Sequence, residues 1–219
     1  MKILVFLGTV RDSSPPNPPR LGLRVAQACI QHFGKHHPDV TVELIDPLQV
    51  ELKCVFKPHF SYRQKDVPPA LDTLAKLIEG ADGYVMISPE YNHSMSPALA
   101  NLLNHFGSSL YSHKPSAIVT YSAGQWGGTR AAVNMRTFLS ELGCLPVSSM
   151  IHVPKAAEVF TEDGSFLESV DEVRWAGYLD RTLQDMLWWA SAARTQRAVI
   201  DPRAQIKAFK SDPSQRNAP

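Results

Sequence analysis

The chain has 219 residues, 44% of them hydrophobic and 20% charged, with a formal net charge of +1; that suits one domain with a full core. So small a net charge argues against a nucleic-acid binder, which would gather Lys and Arg on one face. It also argues against an acidic electron shuttle steered to basic partners.

In chain order, Lys2 to Gly8 (K-I-L-V-F-L-G) reads as a short apolar strand, buried on both faces of a parallel sheet. Leu21 to Phe33 reads as a helix through Val25, Cys29, Ile30 and Phe33, with Gly34 placed to stop it. Val40 to Asp46 alternates and reads as a more exposed edge strand, and residues 47 to 67 read as irregular. Pro68 to Glu79 carries an apolar stripe of Leu71, Leu74, Leu77 and Ile78, so a helix is predicted there. Gly83 to Ile87 is the third strand, followed by a polar turn and a helix over 97 to 109. Pro115 to Tyr121 is the fourth strand, Thr129 to Leu142 a helix ending at Gly143, and Leu145 to Val153 the fifth strand. A long helix from Asp171 to Ala193 closes a domain over residues 1 to 193. Residues 194 to 219 read as a basic, disordered tail, lacking a sustained apolar face beyond 202.

Strands alternating with helices imply an α/β doubly wound sheet. With right-handed crossovers, the strand order 2-1-3-4-5 places the first, third and fourth strands side by side. The loops at their carboxyl ends then converge on one crevice, where open parallel sheets bind ligands.

The first of these loops runs from Gly8-Thr9-Val10-Arg11-Asp12 through a proline-rich stretch to Arg20-Leu21-Gly22. Hydroxyls, arginines and a helix start suit a phosphate. It is neither a Walker loop nor the G-x-G-x-x-G dinucleotide fingerprint, so a mononucleotide fits better than bound NAD. The second is I-S-P-E-Y-N-H-S-M-S-P-A over Ile87 to Ala98, and the third is Tyr121-Ser122-Ala123-Gly124-Gln125-Trp126-Gly127-Gly128-Thr129-Arg130. The glycines of the third loop allow its backbone to lie against a flat ring.

These segments resemble the NADPH-dependent FMN reductase family, flavodoxin-like flavoenzymes that include quinone, azo-dye and chromate reductases. Pro89, Glu90, Tyr91 and Asn92 match its P-E-Y-N turn, Gly8-Thr9-Val10-Arg11 its G-S-x-R phosphate loop with Thr for Ser, and Ser122 to Gly128 its S-x-G-x-x-G-G segment. Asp12 to Pro19 departs from it, being longer and richer in proline; whether Ser13, Ser14 or Asn17 reaches the phosphate stays open.

The resemblance implies FMN as cofactor, NADPH or NADH as donor, and a quinone, similar small acceptor or free flavin as the oxidant, used in ping-pong order. It places Thr9, Arg11 and Arg20 at the phosphate. Pro89, Glu90, Tyr91 and Asn92 lie along the ribityl chain and ring, and Ser122 and Gly124 at the pyrimidine end. Tyr91 and Asn92 are the candidates for orienting the flavin; no catalytic nucleophile or metal is implied. It further implies a homodimer or tetramer, with residues 54 to 62 and the helix over 97 to 109 as candidate contacts.

Plainer readings stand beside these. Tyr91 can be a half-buried turn aromatic, Asn92 a helix cap in competition with Ser94 or Ser96, and Glu90 can act through its backbone alone. Arg11 can form a surface ion pair, and Trp126 can be loop packing or a substrate platform. His93 can be a proton donor or a solvated neighbour. Trp175, Trp188 and Trp189 read as core or oligomer contacts, and His36-His37 as solvated surface without partners at ligand spacing. A flavin-binding sensor or an electron carrier remain the rival functions.

Cys29, Cys54 and Cys144 are odd in number and widely spaced, which points to a reducing cytosol rather than a disulfide framework. Lys2 opens a strand with no signal-peptide layout, and no apolar run reaches the roughly 18 residues of a membrane span.

Overall fold

The computed structural model describes residues 1–14, 16, 20–52 and 55–205. Its frame is a parallel sheet of β1 (Lys2–Leu7), β2 (Thr41–Ile45), β3 (Gly83–Pro89), β4 (Pro115–Tyr121), β5 (Leu145–Pro146) and β6 (Ile151–Val153), in the order β2-β1-β3-β4-β5 with β6 also on β4. The expected order 2-1-3-4-5 is therefore the observed one. β1 is the hub of the register: Leu4 pairs with Glu43 on one side and Tyr84 on the other.

Strand alternation splits the core into two layers. Ile3, Val5 and Leu7 face α1 (Leu21–His36) and α6 (Glu172–Val199), where Val25, Cys29, Phe33, Leu179 and Leu183 are buried. Leu4 and Phe6 face α2 (Pro69–Gly80), α3 (Pro97–Asn104), α4 (Ser108–Tyr111) and α5 (Thr129–Glu141). β2 is the more exposed margin, as its alternation implies.

Four boundaries differ from the sequence reading, each for a physical reason. α1 runs through Gly34 to His36; Gly34 faces open space, and the helix ends where Pro38 disfavours helical geometry at His37. The helix over 97 to 109 is two helices, interrupted where His105 closes α3 and Gly107 opens α4. The fifth strand is cut into β5 and β6. Pro146 lacks a ladder donor, and the Arg136 guanidinium takes the carbonyls of Pro146 and Ser148 at 3.4 and 2.9 Å. α6 continues past Ala193 because Arg197 anchors its last turn, binding the His113 carbonyl at 2.8 Å and Asp82 at 3.0 Å. A short α7 (Pro202–Gln205) follows, and the tail reading beyond it lies outside the described residues. Among the described residues no helix is long and apolar enough to cross a membrane.

Candidate functional site

The loops after β1, β3 and β4 meet at the carboxyl edge of the sheet, held together by three separate ties. The first is backbone: Gly8 N–H donates to the Ile87 carbonyl at 2.8 Å. A Cβ on Gly8 would lie 2.5 Å from that same oxygen, so only glycine permits the approach.

The second tie is Tyr121, the last residue of β4. Its buried hydroxyl hydrogen-bonds Thr9, and a Cβ on Gly22 would come within 2.4 Å of that hydroxyl. Burial pushes the phenol pKa up to about 12, against the pull of the Thr9 hydrogen bond, so the group stays neutral. The third tie is Glu90, whose carboxylate meets Arg130 Nη2 at 2.5 Å and accepts from the Ala131 N–H at 3.4 Å. Glu90 thus joins the second loop to the start of α5, where a carboxylate also meets the positive end of the helix dipole. Its side chain takes part, which the backbone-only reading leaves out.

The second loop is a miniature hairpin. Tyr91 and Ser94 exchange backbone hydrogen bonds at 2.9 Å in each direction. Asn92 and His93 between them have φ of 49° and 63°, the left-handed pair of a type I′ turn. Asn92 is therefore a turn residue and not a helix cap. The cap is Ser96, whose hydroxyl accepts from Leu99 N–H at 3.1 Å, while Ser88 Oγ accepts from Ser96 N–H at 2.8 Å and donates to the Pro89 carbonyl at 2.7 Å. This network leaves Tyr91 (44% exposed), Asn92 and His93 at the outer surface of the turn.

The third loop is shaped by its own serine. Ser122 Oγ donates to the Gly124 carbonyl at 2.7 Å and accepts from Gly127 N–H at 2.8 Å. Gly127 and Gly128 take φ of 61° and 74°, turning the chain into α5. A Cβ on Gly124 would meet nothing within 4 Å, so its backbone is open on one side, and Trp126 beside it is exposed. Behind the loop, His152 Nδ1 sits 2.8 Å from Thr120 Oγ1, and burial lowers its pKa below the ordinary histidine value.

Loop one sorts its two arginines. Arg11 is exposed, and its guanidinium makes no hydrogen bond or ion pair with the described residues. Arg20 is buried instead: Nη1 and Nη2 pair with Asp46 at 2.6 and 3.0 Å, and Nη2 also donates to the Thr9 carbonyl at 2.5 Å. Arg20 therefore holds the loop against the end of β2. Thr9 Oγ1 accepts from Arg11 N–H at 3.2 Å, and Ser13 Oγ accepts from Arg20 N–H at 3.1 Å. Ser14 N–H turns onto Asp12 at 3.0 Å, while Asn17 lies outside the described residues.

The site fits a phosphorylated flavin. α1 begins with no side-chain cap and no acid in its first turn, which keeps its leading N–H donors available to an anion. Arg11 adds a charge with no ion-pair partner among the described residues, and the open Gly124 backbone supplies a surface on which a flat ring can lie.

Asp46, Tyr121 and Arg130 escaped the sequence reading as site residues. Asp46 was the one with a signal: a carboxylate ending the strand beside β1 in the 2-1 order faces the loop that carries Arg20.

A family model described as NADPH-dependent FMN reductase matches residues 1–158. An NAD(P)H-dependent FMN reductase of Pseudomonas aeruginosa is 30% identical over 131 residues, 58% of this chain and 69% of its own. An NADPH azoreductase of a Bacillus species is 39% identical over 77 residues, 35% of this chain and 43% of its own. The chain thus spans less than half of that relative. Among solved structures, the flavoenzyme NAD(P)H:(acceptor) oxidoreductase FerB of Paracoccus denitrificans superposes with a TM-score of 0.67 at 21% identity, over 88% of this chain and 98% of that one, a likeness of fold.

Proposed function

Because the chain belongs to the NADPH-dependent FMN reductase family, we propose that it is an FMN-dependent NAD(P)H oxidoreductase acting on small acceptors such as quinones, azo compounds or free flavin. The observation that carries this reading is the tied crevice: three loops from adjacent strands, one with an uncommitted arginine before an uncapped helix, one with an open glycine backbone.

Bound FMN would supply the hydride chemistry between NAD(P)H and the acceptor, which would use the site in ping-pong order. The protein binds and orients. Arg11, Thr9 and the N–H groups opening α1 hold the phosphate, and Arg20 fixes that loop through Asp46. Pro89 to Asn92 line the ribityl chain and ring, with Glu90 bracing the turn and Tyr91 and Asn92 orienting the ring. The backbone around Ser122 and Gly124 faces the pyrimidine end, where preorganised dipoles stabilise negative charge as it develops.

The assembly belongs to the same proposal. Phe56 and Phe60 are 49% and 65% exposed, and Phe60 borders an open hollow of about 750 Å³ with Tyr62, Phe106 and Leu110. This face, with α3 and α4, is the one expected to pair two copies; Cys54 lies outside the described residues. A cytoplasmic setting accords with the buried, unpaired Cys29 and Cys144.

Purified protein should be yellow, and stopped-flow mixing with NADPH or NADH should bleach it before a quinone restores the colour. Protein that neither carries nor takes up FMN refutes the proposal, and tight FMN binding without turnover points to a sensor.

A further inference from the structure

At the end of the sheet away from the crevice, the C-terminal end of α1 brings His32 and His37 against Asp180 of α6. His32 Nε2 lies 3.0 Å and His37 Nε2 3.5 Å from the same carboxylate oxygen, and the three ligand atoms fall within 4.8 Å of one another. The sequence reading of His36-His37 as partnerless surface is overturned for His37: its partners come from residue 32, on the helical turn before it, and from residue 180, across the helix interface.

We propose that His32, His37 and Asp180 form a binding site for a divalent transition ion of the zinc class, one that staples α1 to α6. Ligand atoms of tetrahedral zinc lie about 2.0–2.2 Å from the metal, and so about 3.3–3.5 Å from each other. Two of the three edges here already match within a few tenths of an ångström. Two imidazoles and one carboxylate are a donor set that zinc accepts, leaving a fourth position open.

A second observation points the same way. His37 Nε2 is buried and makes no hydrogen bond despite facing the carboxylate. A buried ring nitrogen without a partner is costly, and a metal would satisfy it. His36 lies one helical turn after His32, its ring centroid 4.5 Å from that of His32. Access exists as well: His32 and His36 border a hollow of about 210 Å³.

His32 and His37 lie about 17 and 24 Å along α1 from its first residue, so the effect of the site is on stability and not on hydride transfer. The test is isothermal titration of metal-stripped, full-length protein with zinc chloride, followed by thermal unfolding with and without the ion. One zinc per chain is expected, with the melting temperature raised by about 5–10 °C at a hundredfold excess over Kd. His37→Gln and Asp180→Asn, at side chains 16% and 34% exposed, should each weaken binding by roughly 100-fold or more while leaving the metal-free melting temperature near the parent value. Cobalt should give a tetrahedral visible spectrum in the parent and lose it in both variants. Equal zinc affinity in parent and variants, or no zinc bound, overturns the proposal.

Discussion

Replacing Asp46 with Asn should destabilise the protein by about 3–5 kcal/mol, the cost of leaving one member of a buried ion pair without its partner. The estimate follows from what Asp46 does. Its carboxylate accepts from Arg20 Nη1 at 2.6 Å, from Nη2 at 3.0 Å and from Leu48 N–H at 3.0 Å, and the two side chains are only 5% and 7% exposed. Asparagine keeps one oxygen but turns an NH₂ toward the guanidinium, so a charge-assisted bond becomes a donor–donor clash and the Arg20 charge stays buried. For a chain of this length, each kcal/mol moves the melting temperature by about 2–4 °C, giving a fall of roughly 6–20 °C. The assay is urea unfolding of flavin-free protein, since bound FMN would mask the loss by mass action. A midpoint shift at unchanged slope is the expected signature. The double replacement Arg20→Met, Asp46→Leu should recover more than half of the loss, because an apolar pair leaves no charge behind. A single-mutant cost below about 1 kcal/mol, the scale of an exposed pair, would refute the reasoning.

Arg11→Ala should weaken FMN binding by roughly 1.5–3 kcal/mol, the value of a charged hydrogen bond, without changing the melting temperature of the flavin-free protein; titration of FMN fluorescence reads it. At Asn92, whose φ is 49°, valine should cost about 1–2 kcal/mol and glycine almost nothing. Both should lower quinone turnover, and full turnover with glycine would remove the Asn92 side chain from flavin orientation. Truncation after Asp201 should leave folding, flavin content and turnover intact, because α6 keeps its Arg197 anchor and the deleted segment offers little apolar surface against about 1–2 kcal/mol of ordering entropy per residue. A truncated protein that loses FMN would make the tail a docked arm.

The sheet order and the three loops were legible because local patterns carry them: apolar runs ending in Gly8, Pro89 and Tyr121, each followed by a polar turn and a helix. What hid from the sequence depends on partners far along the chain. The pairing of Arg20 with Asp46 joins residues 26 apart. Glu90 reads as a backbone contact until Arg130 arrives from α5. The Asn92-His93 turn hid for another reason. Its type I′ geometry normally announces itself by glycine, and here two side chains adopt it instead. Gly34 misled in the opposite sense, since a glycine facing open space does not stop a helix when Pro38 lies just beyond.

The broken fifth strand bears on how this protein stays apart from its copies at high concentration. An unpaired strand margin is a template on which another chain can add and propagate. Here that margin is two short pieces, one of two residues and one of three, with proline in the first and an arginine fork on the carbonyls at the break. The opposite margin carries the Lys2–Glu43 ion pair. The β5–β6 side therefore offers only short, interrupted pieces for strand-by-strand growth.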